Sequence, residues 1–517
     1  MAFDDQQRIP LDDASPNRAE AARSEAMVHG LVAGLSIAAG LFLLVRFLHR
    51  NGFWIDELYS LHAIHLPFRE MVLERLRRGH FPLYFALLKG GVALFGGQAS
   101  ETSMRALSLV FWLAAAASFW AVASRLLSRK AAAVAVTLLA LNGLAIRQAS
   151  EARMYALVLL QSVWITFAYF EMQRGNDRAA WKWIYGAGTV LVFWTSPSFA
   201  LVSSAFLYDA WRGRRESPAL FKTTLITLAV SLLSLAPGLI FHLQTRLQNE
   251  LAHIRPAAVI FHVVALLGGI FANDHYFRPT RLLMVLQALA GFFTMAVLWR
   301  LWQGRKELSR REVACRRIVF FPLGLMLVTW AVEETTGLSV SVLGPARYLM
   351  GAVPAGALLT ASIVDRWTAG RPRRAEMAQA TLAVLLACGA YGILTVITEP
   401  FREYALQLRA VYRNGDAIVT VPDQIADGVE MYLPGMRVDA AINRWLLDER
   451  EIAERLRPLA DRKNVWLLWY RGRRSPVAEV AVRVLGDCQP PGEEKRMGIL
   501  RLLHFTPADK GAPKTAP

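Results

Sequence analysis

The chain has 517 residues, 54% of them hydrophobic and 19% charged, with a mean hydropathy of +0.31. That is more apolar sequence than one soluble core requires, and the apolar runs are long enough to cross a hydrocarbon layer of roughly 30 Å, so the composition excludes an ordinary soluble enzyme and indicates a multi-spanning membrane protein. The net charge of +17 would suit a nucleic-acid binder, but the basic residues sit in short clusters between apolar runs, as Arg212, Arg214 and Arg215 do; positive-inside anchoring accounts for them, and no nucleic-acid partner is expected.

Residues 1–27 are polar and read as a disordered cytoplasmic tail. The run from Met27 to about His49 exceeds a signal-peptide core and no small-residue cleavage site follows it, so an uncleaved first helix is expected. Directly after it, Trp54-Ile55-Asp56-Glu57-Leu58 places two adjacent carboxylates where that helix emerges. Ionisable groups beside a span mark function. Within the loop 50–104 the apolar stretch from Pro82 to Phe95 is short for a span, and two helices lying along the membrane surface are expected.

Further spans are expected at roughly 105–126, 131–147, 154–171, 182–195, 197–211, 221–243, 282–302, 318–335, 347–365 and 378–398, about eleven with the first. Lysine and arginine concentrate in the loops 125–130, 174–182, 212–222, 300–317 and 366–374, which places these loops and the N-terminus in the cytoplasm and Asp56 outside. A crossing at the apolar run 257–272 would turn the 300–317 loop outward, so that run reads as an interfacial or re-entrant helix. The three cysteines, Cys315, Cys388 and Cys488, lack metal-type spacing, and neither disulfides nor zinc thiolates are expected.

After Pro400 the character changes. Short apolar runs at 416–422, 464–470 and 498–503 read as strands, and 443–460 as a charged helix, making a small α/β domain over residues 399–506. An odd number of spans places it on the side of Asp56, and 507–517 reads as a disordered tail.

Asp56 and Glu57 are sequential, so on a helix they point about 100° apart and cannot both face one reacting atom. This gives one functional carboxylate, Asp56, with Glu57 as its supporting neighbour; the alternative is that both serve the N-terminus of the following helix, whose dipole favours carboxylates. His80, in His80-Phe81-Pro82-Leu83-Tyr84, is a ligand or proton-transfer group, or a polar surface residue. Arg105 and Arg347 each open a span on the outer face against the positive-inside trend, and either hold a phosphate or snorkel to headgroups. Glu151 and Arg153 pair with each other or, with Tyr155 at the same span start, line a sugar site.

Taken in order, Trp54-Ile55-Asp56-Glu57, His80-Phe81-Pro82-Leu83-Tyr84, Arg105-Ala106-Leu107-Ser108, Ser150-Glu151-Ala152-Arg153-Met154-Tyr155 and Arg347-Tyr348-Leu349 with Pro354 resemble the GT-C membrane glycosyltransferases related to protein mannosyltransferases and the lipid A aminoarabinose transferase. The similarity covers roughly residues 28–400, and the membrane domain is expected over 28–398. It implies a mainly α, polytopic GT-C domain that transfers a sugar, with inversion, from a polyprenyl-phosphate carrier to a lipid, glycan or protein acceptor at the outer face of a bacterial inner membrane. The resemblance makes Asp56 the catalytic base beside Glu57. It gives the donor phosphate to Arg105 and Arg347, and the substrate pocket to His80, Tyr84, Glu151, Arg153, Tyr155 and Tyr348. The family commonly carries two prolines after the histidine, and Phe81 stands in the first place here. Asp56, Glu57 and His80 make no compact ligand set, so no metal is strictly required, although a divalent ion is compatible with the family.

Two rival readings use the same composition. A lipid-linked sugar flippase or transporter calls for acids or broken helices near the midplane and for internal repeats. A polysaccharide polymerase or ligase of another fold calls for a large external loop between late spans.

Overall fold

The computed structural model describes residues 16–244, 256–270, 280–336, 345–396, 401–442, 449–459, 462, 464–470, 476–488, 491–497 and 500–505. The expected tails therefore lie outside the described residues, apart from 16–27. Those residues are helical: α1 (Pro16–Phe47) begins before its apolar stretch, Met27–Phe47.

Three short helices follow where two were expected: α2 (Ile55–His65), α3 (Phe68–Arg77) and α4 (Leu83–Leu94). Backbone geometry starts α2. Trp54 is extended, with φ −96° and ψ 171°, and the Glu57 carboxylate accepts its N–H at 3.4 Å. At the far end of α4, Leu94 is 87% exposed, which suits a helix tip in the lipid interface.

The membrane domain continues with α5 (Glu101–Leu126), α6 (Arg129–Ala140), α7 (Gly143–Ala149), α8 (Tyr155–Gln173), α9 (Ala179–Thr195), α10 (Ala200–Arg212) and α11 (Pro218–Gln244). Then come α12 (Pro256–Val263) with a π-helical turn Val264–Gly268, α13 (Arg281–Gln303), α14 (Arg310–Thr336), a 3-10 segment Ala346–Ala352 leading into α15 (Val353–Trp367), and α16 (Pro372–Thr395). Eight of these helices are long and apolar enough to cross a membrane, nine if α6 and α7, bent by 49°, form one span. The protein is multi-pass. Of the eleven expected spans, α9 and α10 are the shortest among the described residues, with 17 and 13 residues against the roughly 20 of a typical crossing.

The bend between α6 and α7 and the π-turn meet each other. Asn142 caps α7 through Oδ1, and its Nδ2 donates to Ala265 O at 2.8 Å; Gly143 N donates to Gly269 O at 2.7 Å, and Thr360 Oγ1 to Leu267 O at 3.2 Å. Backbone groups freed by one interruption are satisfied at the other, as an apolar medium requires. Gly269, with φ 73°, supplies the left-handed residue that stops the π-turn.

Side-chain contacts identify the two ends of the bundle. Lys130 reaches Asp365, Arg366 reaches Glu312, Arg317 reaches Asp209 and Arg310 reaches Ser217, so the basic loops share one end. Asp56 lies at the other end, with the starts of α5 and α8 and the 3-10 segment.

The C-terminal unit sits at the Asp56 end. It contains α17 (Phe401–Val411), β1 (Ala417–Val421), α18 (Gln424–Tyr432), β2 (Ala440–Ala441), α19 (Glu449–Leu456), β3 (Val465–Tyr470), α20 (Pro476–Cys488), β4 (Pro491–Met497) and β5 (Leu500–Phe505). Its sheet has the order β2-β1-β3-β5-β4. β1 is parallel to β2 and β3, while β5 is antiparallel to β3 and β4. Every residue of β1 and β3 is buried, which explains why they read as continuous apolar runs. Ile418, Trp466 and Leu468 face the core shared with the membrane domain, and Val419, Leu467 and Leu503 face a separate core with α19 and α20. Of the expected helix 443–460, residues 443–448 and 460 lie outside the described residues, and α19 with a 3-10 turn Arg457–Leu459 occupies the rest.

Candidate active site

The acid pair at the start of α2 divides between two environments. Glu57 is fully buried and meets Arg105 in a bidentate pair: Arg105 Nε donates to Oε1 at 2.8 Å and Nη2 to Oε2 at 2.6 Å. The other Arg105 donors reach Leu48 O and Asn51 O at 2.8 Å and Gly52 O at 3.1 Å. All five N–H groups of a guanidinium are thereby spent. This corrects the expectation that Arg105 holds a donor phosphate; at 3% exposure it neutralises a buried carboxylate and ties the loop before α2 to α5. Glu57 also accepts the Ala152 N–H at 2.8 Å. Both Glu57 oxygens are thus committed to Arg105 and to backbone N–H groups, which leaves Asp56 as the open carboxylate of the pair.

Asp56 points away from this core, its side chain 19% exposed. Its Oδ2 lies 3.7 Å from Arg153 Nη2 and 3.6 Å from Arg347 Nη2. Arg153 is anchored from behind, since its Nη1 donates to Asp56 O at 3.1 Å and to Ser60 Oγ at 3.4 Å. The Arg347 guanidinium sits among three rings, 5.7 Å from the centre of Trp54 and 5.9 Å from those of Tyr155 and Tyr348. One partly open carboxylate thus lies between two buried cations.

His80 stands on the same side, in the turn between α3 and α4, where its N–H donates to Arg75 O at 2.9 Å. Burial, and then the charges of Arg153, Arg75, Arg78 and Arg347, push its imidazole well below the ordinary 6.5, so it is neutral at neutral pH. Arg75 and Arg78 were not singled out in the sequence, because α3 reads as a solvated charged face. Arg75 is fully buried against Phe85 and Glu74, and burial lowers its pKa to about 10.

The remaining expected residues separate. Tyr155 and Tyr348 stand next to each other, ring centres 6.4 Å apart, beside Arg347. Tyr84 is fully buried and corrects the expectation of a pocket residue: its hydroxyl meets Ser108 Oγ at 3.4 Å, and Ser108 donates to Arg153 O at 3.3 Å. It supports the Arg153 backbone from inside. Glu151 does not pair with Arg153; Arg147 Nε reaches it at 2.7 Å, one helical turn away. That spacing was readable in the sequence.

The C-terminal unit grips the same loop. Phe53 N donates to Tyr432 Oη at 2.7 Å, Tyr432 Oη donates to Glu101 Oε1 at 2.5 Å, and Arg402 bridges Glu101 and His49 O. At Gly52 an added Cβ would stand 2.8 Å from the Arg402 backbone, so this approach requires glycine. On the outer side of α2, His62 and His65 meet Asp427 of α18 at 2.9 and 3.3 Å.

Among the described residues no group of three or more His, Cys, Asp or Glu side chains could hold a metal ion. The donor set near Asp56 does not suit one: Glu57 is committed to Arg105, and Asp56 is flanked by guanidiniums.

These features define a class. The chain has the GT-C fold, a polytopic helical membrane domain joined to a small mixed α/β unit. It is similar to ArnT from Cupriavidus metallidurans in the apo state, with a TM-score of 0.53 and 12% identity over 91% of this chain and 97% of that one. The same protein bound to undecaprenyl phosphate matches with a TM-score of 0.51 and 13% identity over the same shares. AglB from Archaeoglobus fulgidus, an archaeal oligosaccharyltransferase in complex with an inhibitory peptide and a dolichol-phosphate, matches with 0.47 and 11% over 94% of this chain and 75% of that one. No protein-family model and no curated protein sequence matches the chain.

Proposed function

We propose that this protein is an inverting glycosyltransferase that moves a sugar from a polyprenyl-phosphate donor to an acceptor hydroxyl on a lipid, glycan or protein, at the outer face of a bacterial inner membrane. The observation that carries the reading is the single partly open carboxylate of Asp56 between Arg153 and Arg347, on a helix start fixed from behind by Glu57–Arg105. A direct displacement at the anomeric carbon needs one base and a cationic site for the departing phosphate, and this site supplies both. Asp56 takes the acceptor hydroxyl proton as the new glycosidic bond forms. The bond from the anomeric carbon to the phosphate oxygen breaks, and the electron pair leaves with the polyprenyl phosphate. Arg347 is the phosphate ligand: its aromatic surroundings hold the planar group in place, and phosphate is a stronger partner than a carboxylate oxygen at 3.6 Å. Arg153 orients Asp56, and neutral His80 and Tyr155 face the sugar or acceptor. ArnT bound to undecaprenyl phosphate, on the same fold, supports a lipid-phosphate donor.

One structural feature speaks for the transporter reading. Broken helices exist, at α6–α7 and at the π-turn, but their freed backbone groups are bonded to each other and none of the paired residues is ionisable. They form a joint and not an ion site. The test is transfer by the purified protein from a panel of polyprenyl-phosphate sugars to labelled acceptors; sugar release or transfer from one donor supports the enzyme, and binding without turnover across the panel favours a carrier.

A further inference from the structure

A second polar feature lies at the end of the bundle opposite Asp56. A crevice of about 280 Å³ opens between α6, α13, α15 and α16. Its floor is apolar, with Val134, Phe293 and Leu382, and its mouth carries Arg371 and Arg374. Both arginines are exposed, and no acidic residue lines the crevice. Gln379, also in the lining, is only 1% exposed. Its Oε1 is taken by His29 Nδ1 at 2.6 Å, while Nε2 has no hydrogen-bond partner among the described residues.

All the free polar groups are donors, which selects an anion; the floor selects hydrocarbon attached to it. Trp367 lies at the rim, with the Arg300 guanidinium 5.4 Å from its ring centre, the pairing expected at headgroup level. Basic pockets between helices at the positively charged end of a membrane protein bind lipid phosphates. The stretch Ala346–Trp367, 22 residues, separates this crevice from Arg347, roughly the thickness of a bilayer core. A lipid bound here therefore cannot deliver its head to Asp56, which excludes the reaction's own donor.

We propose that the crevice binds an anionic glycerophospholipid of the leaflet at the basic end, its phosphate between Arg371 and Arg374 and an acyl chain on Val134, Phe293 and Leu382. The site is independent of the transfer reaction, and binding is its readout.

Delipidated full-length protein in detergent is titrated with phosphatidylglycerol or phosphatidylcholine and bound lipid is counted by native mass spectrometry. Phosphatidylglycerol should be retained about tenfold better, the worth of contacts to a charged group. The R371A/R374A variant, altered only at exposed positions, should lose that preference. A378W, which crowds the crevice and leaves both arginines, should lower retention of both lipids. Equal retention by the unaltered protein, or a preference unchanged in R371A/R374A, would overturn the proposal. So would displacement of the lipid by millimolar inorganic phosphate alone, which would reduce the site to an ion site.

Discussion

Glu57 and Arg105, 48 residues apart in sequence, close a buried bidentate pair at 2.8 and 2.6 Å that fixes the start of the helix carrying Asp56. Removing one partner leaves the other charge buried and uncompensated, a loss of about 3–5 kcal/mol. Glu57→Ala and Arg105→Ala should therefore lower thermal stability strongly, and the double variant should recover part of it. Donor affinity per folded molecule should survive in Arg105→Ala; a selective loss of donor binding with unchanged unfolding would return Arg105 to the phosphate site.

Arg347 should behave in the opposite way. Its replacement by Ala should weaken donor binding by roughly 1.5–3 kcal/mol, the worth of hydrogen bonds to a charged group. Lys should rescue in part, since an ammonium reproduces neither bidentate contact nor the fit among Trp54, Tyr155 and Tyr348. Titration of a polyprenyl phosphate against each variant reads this directly, and unchanged affinity in Arg347→Ala would remove it from the site.

Tyr432 links the C-terminal unit to the loop before Asp56. Tyr432→Phe leaves the Phe53 N–H without its acceptor, at a cost of about 1–3 kcal/mol. The expected result is a lower turnover rate at nearly unchanged donor affinity, because the loop shifts while the phosphate site stays. Steady-state kinetics separate the two, and equal turnover by the variant would show that the contact only holds the units together.

The contact between α2 and α18 should depend on pH. Burial acts to lower the His62 value, but the hydrogen bond and charge of Asp427, helped by Glu74 and Asp423, outweigh it and raise it above the ordinary 6.5. Burial acts to raise Asp427 above its ordinary 3.8, and bonds from His62 and His65 outweigh that and lower it. A raised histidine stabilises fully below 6.5 and loses its contribution as pH climbs through the folded value; a lowered carboxylate stabilises above 3.8 and loses its contribution as pH falls through its own. Arg78, facing the same patch through Asp423, keeps its charge throughout. The contact is therefore tightest between these limits and loosens as pH rises above about 6.5. Hydrogen exchange over 424–432, corrected for intrinsic rates, should be faster at pH 8 than at pH 6, and Asp427→Asn should abolish the difference.

The acid after the first span was visible because it interrupts an apolar pattern, and helical spacing alone separates the directions of Asp56 and Glu57. Which cation each would meet was not visible, since Arg105 and Arg347 look alike in sequence: both open outer-end helical segments. Only the three-dimensional path of the loop, which aims three carbonyls at Arg105, distinguishes them. The long apolar helices were legible from hydropathy. The short α9 and α10 show what hydropathy leaves out, since it registers composition and not the geometric length of the helix. Strand β2, two residues long, and β4, which reads PGEEKRM, carry no alternating apolar pattern to detect. Arg75 and Arg78 escaped notice because α3 reads as a solvated charged face, and the elements that cover it, with Asp423 3.4 Å from Arg78, come from elsewhere in the chain.

The measurement that bears most directly on the reaction is single-turnover sugar transfer by purified Asp56→Asn protein with saturating polyprenyl-phosphate donor. Asn keeps the size of the side chain and cannot accept the proton, so the rate should fall roughly 10²–10⁴-fold while donor binding and thermal stability stay near those of the unaltered protein. Transfer at the unaltered rate with normal donor binding would contradict the assignment of Asp56 as the base.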